Sequence, residues 1–500
     1  MGDTAPMIHS GPTQQLLHVL IVGAGFGGVG AAIQLRRHGI EDFLVVDKAD
    51  GIGGTWWHNT YPGAACDIPS HLYCYSFEPN PDWSRKYSRQ PEIQAYIARC
   101  ARKYGVVDRI QLGMNLRELA LEDGLWTARF SDGTVYRSRH VIFATGGLHM
   151  PLIPDIPGSG RFTGPAMHSA EWDASVDLRG KRVAVIGSAA SAIQIVPEIA
   201  GVASRVDVYQ RTPNYIAPRN DRAFSPWQKT LFARMPWVNR LYRHCIFLRG
   251  ELTIFPVVKT RHPSRWRSFL ERMLRRHIHT SIADAELAAT MTPDYPLGCK
   301  RILIADNFYR ALNRHDVSVI SSGIERIDEH CVVTRDGLHH PADVLVYATG
   351  FDVENYLSSI DIRGADGQLL AARWNSGPEV YKGGFIPGLP NFYLTTGPHT
   401  GVGTTSMVLM IEAQLQLIMQ AISAAGSDSL IEVQSSAAAA YTREIREALK
   451  ETVWAGSCKS WYKKDDGEID TLYPHNARSY LRDHRQLLLE HFRLLPRDAA

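Results

Sequence analysis

Gly23-Ala24-Gly25-Phe26-Gly27-Gly28 has the spacing GxGxxG, and Asp47 follows 24 positions after Gly23. These residue types in this order suit a bound dinucleotide. One glycine turns the chain, one lets the backbone approach a pyrophosphate, and one allows a helix to pack closely. The start of that helix offers unpaired N–H groups and the positive end of its dipole to phosphates, while Asp47 can accept two hydrogen bonds from a ribose diol. A second turn, Gly187-Ser188-Ala189-Ala190-Ser191-Ala192, keeps the outline but carries Ala189 in place of the middle glycine. Its methyl group is expected to loosen a pyrophosphate contact, so a plain packing turn stays open as the alternative. Gln210 and Arg211 then stand where an acidic residue would hold a ribose diol. A 2′-phosphate is attracted by Arg211 and repelled by a carboxylate, which points to NADP; the alternative is a surface cation.

Two dinucleotides of different ribose preference in one chain imply electron transfer, with a resident FAD at the first turn and a diffusible NADPH that reduces it at the second. Gly54, Thr55 and Trp56 follow the second strand closely and suit either a cover over the flavin nucleotide or a place in the core. A reduced flavin passes electrons to a disulfide, a quinone or oxygen. The cysteines, at 66, 74, 100, 245, 299, 331 and 458, are odd in number and lack CxxC spacing. That argues against a disulfide framework, a zinc site and disulfide-reductase chemistry, and fits a reducing compartment. Oxygen remains the leading acceptor.

The elements that must hold these residues follow from hydrophobic periodicity. A continuously apolar strand at 16–22 suits the inside of a parallel sheet, and a helix at 29–38 with a strand at 43–47 completes a strand, turn, helix, strand unit. That context turns the first GxGxxG from a weak signal into a strong one. A second unit has strands at 182–186 and 206–209. Two further strands, 141–146 and 344–350, both end in Ala-Thr-Gly, and the small residues Gly146, Ala348, Thr349 and Gly350 suit close passage beside a dinucleotide. Pro151, Pro154 and Pro157 mark a crossing linker. The expected fold is α/β, two Rossmann-like dinucleotide-binding domains with a mainly helical insertion in the second. The FAD-binding domain takes 1–150 and is completed by 346–500; the NADP-binding domain takes 151–345, with the insertion at 215–294. The first dozen or so residues, with Pro6, Gly11 and Pro12, read as a loose lead, and 426–440 as a loop–helix boundary.

Length and composition agree with an enzyme of several domains, since 500 residues that are 45% hydrophobic and 21% charged exclude a fibrous or wholly disordered chain. No signal segment and no uninterrupted apolar run of membrane-spanning length is evident, so the cytoplasm is the expected location. The net charge of +3 hides an asymmetry. Residues 219–279 carry 14 Lys/Arg against Asp221, Glu251 and Glu271, a formal +11, leaving −8 on the remainder. Trp227, Trp237 and Trp266 are interleaved among those cations, which favours a helical insertion over the active-site approach rather than a nucleic-acid surface. Its charge is expected to attract NADPH, and a weak peripheral membrane contact over 231–276 is the second reading.

One longer stretch narrows the chemistry. Phe162-Thr163-Gly164-Pro165-Ala166-Met167-His168-Ser169-Ala170-Glu171-Trp172-Asp173 has the pattern FxGxxxHxxxW followed by Pro or Asp. Through it, and over about 16–485, the chain resembles the type I Baeyer-Villiger monooxygenases, class B flavin-dependent monooxygenases. The resemblance implies that NADPH and FAD serve to convert a small or medium-sized ketone and molecular oxygen into an ester or lactone through a C4a-peroxyflavin. Oxygenation of sulfur or nitrogen is the related alternative. Tyr61–Asp67 matches the loop that supplies an acidic residue near the flavin, which implies that role for Asp67; many members have Arg where this chain has Ala65. Tyr295–Arg301 matches the segment whose arginine faces the flavin, so Arg301 inherits the catalytic role. Lys300 inherits an NADP contact with Arg211 and Thr212, alongside Gly187, Ser188, Ala189 and Ser191. Residues 397–404 and the helix after them look like the family's last flavin-contact loop, and 457–462 with 472–474 like a tail across the substrate entrance.

Overall fold

Leu16–Val22 (β1) is buried along almost its whole length, as a strand must be when sheet neighbours flank it and both faces are covered, here by helix residues such as Val29 and Ile418 on one side and by Leu119, Trp126 and Phe130 on the other. In this computed structural model, which describes residues 16–497 apart from Tyr356, Ser457, Lys459 and Asp465, β1 lies at the centre of the first sheet. The expected loose lead and parts of 457–462 fall outside the described residues. Phe43–Val46 (β2) pairs with β1 in parallel, with Val19 opposite Phe43, and Ile110–Gln111 (β3) extends the sheet beyond β2. Leu116–Glu122 (β4), Leu125–Phe130 (β5) and Val135–Phe143 (β6) form an antiparallel meander, whose last strand returns parallel to β1 on its other side. Helix Phe26–Arg37 leaves the β1 turn and is buried against the sheet through Val29, Ile33 and Leu35.

The second sheet repeats the plan. Its strands are Ala166–His168 (β7), Arg182–Ile186 (β8) and Arg205–Tyr209 (β9). The short parallel pair Ile216–Ala217 (β10) and Leu303–Ile304 (β11) brackets a set of helices between Pro226 and Thr290. Val317–Ile320 (β12) returns to the sheet, the antiparallel set Ile324–Asp328 (β13), Cys331–Thr334 (β14) and His339–Pro341 (β15) lies apart, and Val344–Tyr347 (β16) completes an all-parallel order β12-β9-β8-β16-β7. The first sheet has the matching order β3-β2-β1-β6. After β16 the chain goes back: Asp361–Arg363 (β17) pairs with β4, and Phe392–Leu394 (β18) lies beside the end of β6.

Helix Met407–Ala425 then crosses the first domain. Among the described residues it is the one helix long and apolar enough to span a bilayer, yet two-thirds of that stretch is buried in protein, and Leu415 and Ile418 share a core with Val29 and Ile33. The apolarity therefore has a packing explanation. The expected loop–helix boundary at 426–440 does hold the start of helix Ser435–Lys450, but the stretch before it is a strand, Ser429–Val433 (β19), rather than loop. Its pairing partner, Phe492–Pro496 (β20), arrives about sixty residues later, too far for local pattern to reveal.

The cysteine reading needs one correction. Cys299 and Cys458 form a disulfide across 159 residues, with Cα atoms 6.4 Å apart. Spacing argued against a cross-link because only the return of the tail brings these two thiols together. It joins the segment just before Arg301 to the 453–470 region, within a core that includes Tyr295, Leu297, Val453 and Tyr462.

Candidate active site

Each dinucleotide turn is built by the same close approach. Gly23 has φ +109°, and a Cβ on it would lie 2.5 Å from the carbonyl oxygen of Ala144. Gly187 has φ +113°, and its Cβ would lie 2.4 Å from the carbonyl oxygen of Ala348. The two Ala-Thr-Gly strand ends are thus the surfaces against which the two first glycines pack, and no L side chain fits between them. Gly28 sits so close above Gly23 that its Cβ would overlap the Gly23 carbonyl, which draws helix Phe26–Arg37 onto β1.

The first turn fits a nucleotide on independent grounds. Gly25 caps the helix without a side-chain hydrogen bond, and no acidic residue stands in the first helical turn, so the N–H groups there remain available to an anion. Gly54 packs on Gly25, with Thr55 and buried Trp56 opening the next short helix. Trp56 donates to the Tyr73 hydroxyl at 3.1 Å, which fixes its ring. Asp47 turns back to the glycine loop, accepting from the N–H of Ala24 at 2.6 Å and of Ala49 at 2.9 Å. Gly146 has open space where a side chain would be, and the neighbouring Thr145 Oγ1 is buried with no hydrogen-bond partner among the described residues. A buried hydroxyl of this kind wants a partner, and a bound nucleotide supplies one.

In the second turn Ser188 is buried, and its carbonyl accepts from Asn214 Nδ2 at 3.2 Å. Ala189 is exposed, and Ser191 caps helix Ala192–Ile199 with no side-chain hydrogen bond to it. Gly350 faces open space, while Thr349 spends its hydroxyl on the Leu152 carbonyl and so anchors the linker. Parallel pairing of β10 with β11 places the chain just before 216 alongside the chain just before 303. Arg211 comes within electrostatic reach of Lys300 in this way, and Thr212 follows it in the chain. Burial and the Arg211 charge both push the Lys300 pKa down, and neither cation has an ion-pair partner within 4 Å among the described residues. Two cations within reach of each other's charge, with Asp294 offsetting only part of it at Lys300, which lies over the Tyr295 ring at 4.9 Å, fit a phosphate.

Arg301 meets Asp67 across the chain. Nη2 donates to Oδ2 at 2.6 Å and Nε donates to the same oxygen at 2.9 Å, with both side chains about one-third exposed. Asp67 keeps the guanidinium pKa above its ordinary value, so Arg301 is a permanent cation. The Asp67 loop is held by a residue that the sequence reading missed. Gln194, on the helix after the second turn, accepts from the Tyr61 hydroxyl at 3.0 Å and from the Ala65 N–H at 3.3 Å, and donates to the Ala65 carbonyl at 3.0 Å. A glutamine inside an amphipathic helix carries no signal of its own; only the fold shows what it grips. Beside this clamp lies a cleft of about 300 Å³, lined in part by Ala65, Gln194, Arg219 and Ile304.

Comparison with known proteins agrees with this geometry. Residues 20–239 match the family described as pyridine nucleotide-disulphide oxidoreductase. A Baeyer-Villiger monooxygenase of Streptomyces coelicolor is 39% identical over 96% of this chain and 93% of its own length. Cyclohexanone monooxygenase from Rhodococcus sp. Phi1, solved bound to NADP+, superimposes with a TM-score of 0.87 over 97% of this chain and all of the other, at 26% identity. A steroid monooxygenase bound to NADP gives 0.86 over 96% of this chain and all of its own, at 29% identity. With two matching dinucleotide turns and an Asp67–Arg301 pair behind it, the chain belongs to the Baeyer-Villiger monooxygenases.

Proposed function

We propose that the protein uses NADPH and oxygen to convert a ketone into an ester or lactone, with FAD at the Gly23–Gly28 turn and NADPH at the Gly187 turn. The observation that carries this reading is the Asp67–Arg301 pair, placed where a loop of the first domain is clamped onto the second. The proposed division gives 1–150 and 346–500 to the FAD-binding unit and 151–345, with its insertion, to the NADP-binding unit, although β16, which pairs in the second sheet, runs on to Tyr347. The cytoplasm, which supplies NADPH, is the proposed location.

When bound, the flavin supplies hydride acceptance and oxygen activation. The chain's own residues do the rest. Asp47 orients the ribose of the first nucleotide, and the free N–H groups above Gly25 hold its pyrophosphate. Arg211 and Lys300 select NADPH by its 2′-phosphate. Arg301 stabilises the negative charge that grows on the ketone oxygen as oxygen adds to the carbonyl carbon, a contribution of about 10²–10³ in rate for a donor of this kind. Asp67 fixes the guanidinium plane through Oδ2 and takes no proton from the substrate. Migration of a ketone carbon to the added oxygen, with the O–O bond breaking and the second oxygen atom leaving as water on the two electrons that NADPH supplied, then gives the ester, or the lactone when the ketone is cyclic.

The test is product identity. The purified enzyme with FAD and NADPH is offered separate panels of ketones and thioethers, scored for ester or lactone and for sulfoxide. Ester or lactone coupled to NADPH use is the expected result; sulfoxide alone, or peroxide alone, would overturn the assignment.

A further inference from the structure

The helical insertion wears its hydrophobic residues on the outside. Of the twenty large apolar side chains exposed among the described residues, nine fall between Trp227 and Met273, less than a tenth of the chain. On the run formed by helix Pro236–Arg249 and the π-helical turn Gly250–Ile254, Trp237, Leu241 and Leu252 recur at helical spacing on the solvent side, with Leu252 70% exposed. The same run points a cation inward: Arg243 donates to the carbonyls of His71, Leu72 and Cys74 at 2.9–3.2 Å and lies 3.8 Å from Glu412. Helix Arg265–Ser281 packs Leu270, Leu274 and Ile278 on its inner side and carries a second apolar cluster outside. Trp266, Phe269 and Met273 face solvent, while Arg267 is buried and donates to the carbonyls of Thr260 and Arg261. A surface helix of a free-standing globular protein buries one apolar face and keeps the other polar; these two helices are apolar on both.

The two stripes are continuous. Trp266 Nε1 donates to the carbonyl of Thr253, the residue after Leu252, at 2.9 Å, and its ring stacks on Phe269 at 5.7 Å. By helical spacing, exposed arginines flank the outer apolar residues: Arg240 on the first run, Arg265, Arg272 and Arg276 on the second. None of the four makes an ion pair within 4 Å among the described residues. The occupant must therefore be apolar at the centre and anionic at the rim. A second copy of this chain docked face to face would bring two +11 segments together, and like charges oppose that contact.

We propose that this face seats the enzyme on an anionic lipid bilayer, with the Trp and Leu side chains in the headgroup–acyl boundary and the arginines on the lipid phosphates. The patch is mechanically close to the site. The helical run ends at Val257 and Val258, which a Cβ on Gly298 would meet at 3.1 and 3.2 Å, and Gly298 is three residues from Arg301. Docking does not depend on which substrate the enzyme oxygenates.

Sucrose-loaded vesicles test it with the full FAD-loaded enzyme. Co-sedimentation is expected with phosphatidylcholine containing phosphatidylglycerol, weak binding with phosphatidylcholine alone, and release in high salt. The variant Trp237→Ser/Leu252→Ser/Phe269→Ser should lose binding by roughly tenfold or more while FAD content and NADPH oxidation stay normal, since these side chains touch neither turn. The pair Trp237→Ser and Phe269→Ser, made singly, should each weaken it part of the way. An active enzyme that stays in the supernatant with anionic vesicles overturns the proposal. So does binding that the triple variant leaves unchanged, or a dimer that the triple variant splits in the absence of any vesicle binding.

Discussion

Asp67 and Arg301, 234 residues apart, meet through one carboxylate oxygen, which accepts from both Nε and Nη2 of the guanidinium. This arrangement sets the plane of the cation and leaves Nη1, which has no hydrogen-bond partner among the described residues, as the donor for a substrate oxygen. The geometry separates holding from stabilising: Asp67 does the first and Arg301 the second.

Arg301→Ala should keep FAD and be reduced by NADPH at close to the normal rate, while ester or lactone formation falls by about 10²–10³ or more. Asp67→Asn should be milder, because an amide oxygen still accepts from Nε but no longer matches the charge. Single-turnover reduction followed by product analysis under oxygen distinguishes the two steps. Ester formation by Arg301→Ala at near-normal yield would remove the assigned role.

The pairing of Arg211 with Lys300 predicts a pH signature. Burial and Arg211 hold the Lys300 pKa below its ordinary value, so its proton leaves earlier as the solution becomes alkaline. The 2′-phosphate needs the charged form. The KM for NADPH should therefore rise as pH climbs through that lowered pKa, and the KM for NADH should not. Lys300→Met should flatten the NADPH profile and raise KM by about tenfold or more, the scale of one charge-assisted hydrogen bond. An NADPH profile identical in wild type and variant would exclude this contact.

Equivalent substitutions at the two first glycines should have separable effects. Gly187→Ala pushes a methyl group towards the Ala348 carbonyl in a left-handed backbone, a strain of about 1–3 kcal/mol or more. The protein should stay yellow and lose NADPH-dependent reduction, while dithionite still bleaches it. Gly23→Ala sets the same clash against Ala144 and should lose the flavin itself. Absorbance of the purified variants, before and after dithionite, reads both outcomes. Retention of FAD by Gly23→Ala would contradict the assignment of the first turn.

The first turn was legible in the sequence because its chemistry is local: a strand, a short turn and a helix lie within thirty residues, and GxGxxG states the backbone requirement directly; the second, with Ala189 in the middle position, left a packing turn open. The Ala-Thr-Gly strand ends were legible as small residues, but not as the surfaces on which Gly23 and Gly187 pack. That contact joins positions more than a hundred residues apart. Gln194 was silent for a different reason, since its amide is ordinary until the Tyr61–Ala65 loop is laid against it. The +11 charge of the insertion was visible as a count, whereas the outer apolar face required knowing that Arg243 and Arg267 point inward and that Trp237, Leu252 and Phe269 stay outside.

The disulfide gives the last prediction. Cys299 and Cys458 tie the Arg301 segment to the tail, and Cys66, Cys74, Cys100, Cys245 and Cys331 remain as thiols. Thiol titration of the protein unfolded without reductant should count those five, and after reduction all seven cysteines of the chain. In the native protein only Cys245, the exposed one, should react quickly. A link across 159 residues restricts the unfolded chain strongly, so Cys458→Ser should lower stability by roughly 2–4 kcal/mol, read from denaturant unfolding. Reductant should lower wild type to the level of the variant and leave the variant unchanged. Because the link ends two residues before Arg301, reduction should also loosen the tail over the site, seen as faster proteolysis within 453–470. Seven thiols in the unreduced, unfolded protein would show that the two cysteines are neighbours without a bond, and the stability difference should then vanish.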